Sequence, residues 1–205
     1  FWTGKTGFKI PQYLDQTNCF NALTMFCTVG NHDNDMYKTD DWSCMEEYRE
    51  YFGPTYYSFN IGKIHYISLD DVYTHNSGTG ADGRAYDFRL TDEEVAWLRK
   101  DLSHVDKSTP VVVAMHIPLL TKTGGLSNKG SRDMKLADFM APFAGFDVTF
   151  LSAHTHTLYS NSKVVDGFKL VPHLPEYFLD NLHPNALGTE VYGRNLVEKI
   201  RELGF

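Results

Sequence analysis

The chain has 205 residues, a net charge of −7, 42% hydrophobic residues and 22% charged ones. That is enough apolar material for one large domain with room for a second. The acidic balance, with no basic run to offset it, excludes non-specific nucleic-acid binding, and no apolar stretch is long enough to span a bilayer, so neither a nucleic acid nor a membrane is an expected partner. Acidity does not exclude a phosphate substrate, because bound cations invert the local field. Cys19, Cys27 and Cys44 are odd in number and lack Cys-x-x-Cys spacing, which favours neither a disulfide framework nor a cysteine zinc site. Cys27 reads as a small buried apolar residue.

In chain order, residues 1–20 carry turn formers and no clear period. The apolar run Leu23–Val29 reads as a buried strand and ends in Gly30-Asn31-His32-Asp33. A Gly there lets the backbone turn sharply, presenting an amide oxygen, an imidazole and a carboxylate at the carboxyl end of the strand. Open α/β sheets place ligand sites at such ends. Taken alone, the tetrapeptide reads equally well as an ordinary turn. Residues 43–52 read as a short helix with Ser43 as its cap, and 56–60 with 64–69 as a hairpin across residues 60–63. Residues 72–88 read as a polar, Gly-containing loop of the kind that lines a site.

Thr91-Asp92-Glu93-Glu94 is a capping box opening a helix with Val95, Leu98 and Leu102 on its apolar face and Trp97 beside it. Pro110–Met115 is a second strand-like run, ending in His116-Ile117-Pro118. Residues 120–131 read as a long loop near the His116 strand, whose Lys122 and Lys129 read as solvated charges, the alternative being that one of them meets substrate phosphate. A helix is expected from Ser131 to about Phe139, with Met134, Leu136 and Phe139 in the core. Val148–Ser152 is a third strand-like run, ending in Ala153-His154-Thr155-His156. His65, His75 and His104 read as structural or surface residues.

Three strand ends thus deliver His to one sheet edge, and the first delivers an Asn as well. A single His after a strand is usually a hydrogen-bonded structural residue; three such ends in order point to a metal site. Imidazole nitrogen with amide oxygen suits a borderline or hard divalent ion.

The ordered set Gly30-Asn31-His32-Asp33, His116-x-Pro118 and Ala153-His154-Thr155-His156 resembles the calcineurin-like metallophosphoesterases, from about Leu23 to Ser160. The paired strands of Phe52–Asp70 fit the same pattern. The resemblance implies an α/β fold, a two-sheet sandwich flanked by helices, and hydrolysis of a phosphate-ester small molecule by metal-activated hydroxide. It implies up to two divalent metal ions, with Mn, Fe, Zn and Co not distinguished by such donors. By the same resemblance Asn31, His116 and His154 ligate one metal and His156 the other. His32 stabilises or protonates the transferring group, and Asp33 orients His32. Ala153 replaces the usual Gly.

In that family an Asp-x-His and a Gly-Asp precede the first of these motifs, and the Asp of Gly-Asp bridges the metals. This chain has no His before His32, and its only earlier acidic residue, Asp15, follows Leu14. With its opening at Phe1-Trp2, the departure predicts a domain incomplete at its amino terminus, or else a degenerate member that serves as a binding module. Because Asn31, His116, His154 and His156 are all neutral, the chain alone is expected to hold at most one ion tightly and to have little activity, unless Asp15, Asp70 or Asp71 takes the bridging role. A secreted or periplasmic location fits a missing amino-terminal segment.

The expected organisation is a metallophosphoesterase-like domain over 1–165 and a carboxy-terminal segment over 166–205 with a terminal helix carrying Leu196, Ile200 and Leu203 on one stripe. Asp180-x-x-His183-Pro184-Asn185 resembles the last block of the GDSL/SGNH-type ester hydrolases. That likeness implies a serine ester hydrolase in which Asp180 orients His183 to activate a Ser, yet no Ser here follows Gly-Asp. The plainer reading, which we favour, is that Asp180 and Asn185 cap turns and Pro184 helps to start the helix.

Overall fold

The computed structural model describes residues 24–80, 83–119 and 132–155, with Leu14 and scattered positions between 174 and 198. The chain divides into two units: the described residues 27–80, 83–119 and 132–155 lie in one, and Leu14, 24–26 and the carboxy-terminal positions in the other. In the second unit, positions 187, 188, 190, 191, 194, 195 and 198 are helical, and Arg194 pairs with Glu190 one turn earlier. Leu196, Ile200 and Leu203 lie outside the described residues.

The first unit is built on short, β-branched and aromatic strands: β1 (Tyr57–Ile61), β2 (Ile64–Ser68), β3 (Val72–Thr74), β4 (Tyr86–Phe88), β5 (Val111–Ala114) and β6 (Val148–Leu151). A four-stranded sheet has the order β1-β2-β5-β6, and β3 and β4 pair as a second sheet. β1 and β2 form the expected hairpin, with Ile61 opposite Ile64 across a two-residue turn. Gly62 there has φ 61, the left-handed region such a turn requires. β2, β5 and β6 run parallel. Parallel neighbours end at the same edge, so the residues after all three arrive side by side.

Helices α1 (Asp41–Cys44), α2 (Glu46–Phe52), α3 (Asp92–Leu102) and α4 (Leu136–Met140) complete the unit, with a 3₁₀ turn at Ala141–Phe143. α3 forms as the capping box requires: the Thr91 side chain accepts the N–H of Glu94 at 3.1 Å, and Leu98 and Leu102 are buried. The Glu94 carboxylate turns inward and accepts the N–H of Asp70 at 2.9 Å. His65 is structural as expected: its Nδ1 meets Asn60 Oδ1 at 2.9 Å, and its Nε2 meets Asp101 Oδ2 at 2.8 Å, tying the hairpin to α3.

Several expectations need correction. Residues 24–30 join no ladder, and Met25 and Phe26 are 43% and 49% exposed. Side chains take the polar groups of this run: Tyr57 donates its hydroxyl to Cys27 O at 2.8 Å, and the Thr28 and Ser68 hydroxyls lie 2.9 Å apart. Only Val29 is fully buried, against Met45 and Tyr48. Cys27 is half-buried rather than buried. The helix expected over 43–52 is two helices, the first capped by the Asp40 carboxylate on Ser43 N at 2.9 Å; Ser43 sits inside it. The loop expected over 72–88 contains β3 and β4. The helix expected from Ser131 is described only over 136–140, and 132–135 are not helical.

The core lies between the large sheet, α3 and α4. Phe139 is fully enclosed, its ring 5.3 Å from Phe88 and 5.9 Å from both Phe143 and Phe150, centroid to centroid. Phe139→Ala leaves a cavity this rigid aromatic cluster cannot close, so it should cost about 3–5 kcal/mol in urea unfolding. A loss below about 1 kcal/mol would show that the cluster does not hold α4 to the sheet.

Candidate metal centre

The N–H of Met115 donates to Leu151 O at 3.0 Å, and that of Ala153 to His116 O at 3.1 Å, so the two chains stay in step past the strand ends. His116 Nε2 lies 2.7 Å from Asn31 Oδ1 and 3.0 Å from His154 Nδ1. The two imidazoles meet edge to face at 4.7 Å. Asn31 is 3% exposed, and its amide donates to the Tyr86 hydroxyl at 3.1 Å, which assigns Oδ1 to the His116 side. The Tyr86 ring lies edge-on to His154 at 5.9 Å. A methyl group on Gly30 would stand 2.8 Å from His116 Nδ1, so only Gly leaves room for this ring.

Two atoms with acceptor lone pairs, Asn31 Oδ1 and His154 Nδ1, therefore crowd around His116 Nε2, which has at most one hydrogen to share between them. A cation satisfies all three at once. Ligands about 2.0–2.2 Å from an ion lie about 3 Å from one another, the spacing found here. Among the described residues, no group of three His, Cys, Asp or Glu is placed to hold a metal; this set reaches three through the Asn31 amide oxygen. His156, Asp15, Asp180 and His183 lie outside the described residues.

Asp71, fully buried, accepts the N–H of His116 at 2.8 Å on one oxygen and that of Ile117 at 2.6 Å on the other. The carboxylate therefore positions His116, a role the sequence did not suggest beyond an acid at a strand end. Asp33 Oδ2 accepts the N–H of Gly30 at 2.8 Å, and Asp33 N donates to Gly30 O at 3.0 Å, closing the turn that carries Asn31 and His32. The Nδ1 of His32 is met by Arg84 at 3.2 Å. Neither Arg84 nor Tyr86 belongs to a motif legible in sequence; the one available signal was that the segment carrying them reads as a site-lining loop.

Residues 5–158 match the calcineurin-like phosphoesterases, and the chain belongs to that family. Among curated proteins it is 28% identical over 119 residues to purple acid phosphatase 18 of Arabidopsis thaliana, covering 57% of this chain and 24% of that one. Purple acid phosphatase 15 of the same plant is 30% identical over 126 residues, or 60% and 21%, and purple acid phosphatase 22 is 27% identical over 157 residues, or 71% and 33%. The matched stretches thus span a fifth to a third of these relatives. No solved structure gives a significant match. No helix among the described residues is long and apolar enough to cross a membrane.

Behind the centre lies a layer of buried acids. Burial, then the Asp41 charge, pushes the Asp70 carboxyl up to about 8, and one of its oxygens is enclosed without a hydrogen-bond partner. Burial likewise raises Asp71 to about 7, against the pull of the two N–H bonds it accepts, and holds Glu94 well above the usual carboxylate range. An acid raised in the folded state keeps its proton over a pH range where the unfolded chain has lost it. The contribution of these acids to the stability of the metal-free protein should therefore be greatest below about pH 4, the unfolded value, and should be lost as pH rises towards about 8. Asp70→Asn should flatten that decline in urea midpoints measured across the range. A decline equally steep in the variant would remove Asp70 as a cause.

Proposed function

We propose that this chain carries a divalent-metal site formed by Asn31, His116 and His154 and acts in the hydrolysis of phosphate-ester small molecules. The convergence of Asn31 Oδ1 and His154 Nδ1 on His116 Nε2 carries this reading. The family match and the phosphatase relatives support it. Bound there, a divalent ion supplies Lewis acidity and brings the pKa of a coordinated water towards neutrality. Nitrogen and amide oxygen donors accept Mn, Fe, Zn or Co.

The side chains divide the remaining work. Arg84 donates to His32 Nδ1, so the neutral ring carries its hydrogen on Nε2. That N–H can bond a phosphoryl oxygen, or pass its proton to the leaving alcohol. Asp71 and Gly30 hold His116 in place, the first by its two backbone bonds and the second by leaving space.

A second ion would need His156 and an anionic bridge. Both oxygens of Asp71 are engaged by backbone N–H groups, and Asp33 closes its own turn. Holding two dications about 4 Å apart without such a bridge is opposed by their repulsion. On this reading the 205-residue chain holds at most one ion tightly and turns over slowly, unless Asp15 or Asp70 supplies the bridge.

Metal stoichiometry measured beside p-nitrophenyl phosphate turnover tests the whole reading. One ion per chain is expected in the unmodified protein. His154→Ala should lose the ion together with the activity. His32→Ala should keep the ion while turnover falls by about 10²–10⁴-fold, the range for an acid catalyst. Equal metal loss in the two variants would contradict the separate roles, and no metal in the unmodified chain would overturn the site.

A further inference from the structure

The strand β4 begins just after Arg84, and the backbone there is fixed from two sides. The N–H of Ala85 donates to Asn76 Oδ1 at 3.0 Å, and its carbonyl accepts His75 N at 2.9 Å. Asn76 is 4% exposed, and its amide nitrogen also reaches Asp35 O at 3.4 Å and Lys38 O at 3.3 Å. One buried amide thus ties the stretch that follows Asn31 and His32 to the stretch that carries Arg84.

The result is a cation set against the metal centre. Arg84 lies 3.2 Å from His32 Nδ1, and its guanidinium carbon is 6.0 Å from the centroid of the Tyr86 ring. Tyr86 in turn bonds Asn31 and abuts His154. Arg84 is half-buried, and among the described residues it pairs with no carboxylate. A guanidinium never loses its proton here and offers five N–H groups in a planar fork. A charge partly withdrawn from water is costly unless an anion completes it. Phosphate oxygens match the fork in both charge and spacing.

We propose that Arg84 is the phosphate-binding residue of this site, its remaining N–H groups taking non-bridging oxygens of the substrate while its bond to Nδ1 fixes the tautomer of His32. The proposal rests on reading the site as one for phosphate esters. It also explains how a chain of net charge −7 admits a dianion to a site whose other described side chains are neutral or acidic.

Inorganic phosphate is the probe, titrated by calorimetry into the metal-loaded and metal-free chain, with Arg84→Ala and Arg84→Lys alongside. Arg84→Ala should weaken phosphate binding roughly 10- to 100-fold, as expected for losing hydrogen bonds to a charged group. Its metal content and thermal midpoint should stay those of the unmodified protein. Arg84→Lys should restore part of the affinity through charge alone. Long-range ¹H–¹⁵N spectra of the metal-free protein provide a readout independent of metal: His32 should show an unprotonated Nδ1, and Arg84→Ala should mix the two tautomers. Equal phosphate affinity in the unmodified protein and Arg84→Ala, or none in either form of the unmodified protein, overturns the proposal. Failure of the hydrolase reading shows itself differently, as phosphate binding that depends on Arg84 in a chain with no metal and no turnover.

Discussion

Asp71 sits at the point where the large sheet stops and the site begins, and the geometry of the centre hangs on its two hydrogen bonds. A parallel strand supplies ladder partners only as far as its neighbour extends. Beyond β5 the N–H groups of His116 and Ile117 would be buried donors without acceptors, each a cost of about 1–3 kcal/mol. Both are taken by one fully buried carboxylate from the end of the neighbouring strand β2. The chain can therefore leave the ladder at Met115 and bring the His116 ring across to Asn31 without abandoning its backbone groups. Gly30 completes the fit from the opposite side, since any side chain there would overlap that ring.

The same arrangement explains an apparent contradiction in the electrostatics. The side chains that converge on the centre are neutral, whereas the layer behind them is acidic: Asp71 and Glu94 are buried, Asp70 is half-buried with one oxygen enclosed, and all three are raised. Burial keeps protons on these acids towards neutral pH in the metal-free protein, and a dication held nearby would favour their ionised forms. The half-buried guanidinium of Arg84 lies 3.2 Å from His32 Nδ1, a fixed positive charge beside the neutral converging side chains.

The parts of this fold legible in sequence are those fixed by local rules. The hairpin followed from alternation and a Gly turn, and α3 from Thr91 and Glu94 at capping-box spacing. β5 and β6 followed from short β-branched runs, and the order of their His-bearing ends led to the family. The parts not legible depend on partners distant in sequence. β3 and β4 have three residues each and sit in polar sequence, so their strand character exists only through each other. Residues 24–30 look like a strand by composition, but their neighbours present hydroxyl groups rather than a ladder edge. Glu94 had a local role available at the cap and took a long-range one on Asp70 N instead. Arg84 and Tyr86 carried no motif because what places them is Asn76, a buried amide with no signature of its own.

The three converging side chains differ in length, and this difference lets strand ends at unequal depths meet at one point. His116 offers its far nitrogen, Nε2, and Asn31 its short amide arm, whereas His154 offers Nδ1, the nitrogen nearest its own backbone. The backbone folds back where His154 presents Nδ1: His154 has φ 61, and Thr155 N closes onto Ala153 O at 2.7 Å. A residue with a Cβ in this region carries strain of order 1–3 kcal/mol, and it persists only where the surroundings determine it. Here the Ala153 bond to His116 O and the edge contacts with the His116 and Tyr86 rings do so. A Gly at 154 would relieve the strain but remove the ring that meets His116. The strained histidine is the conformation in which the chain leaves β6 at the sheet edge and still brings its Nδ1 to 3.0 Å from His116 Nε2.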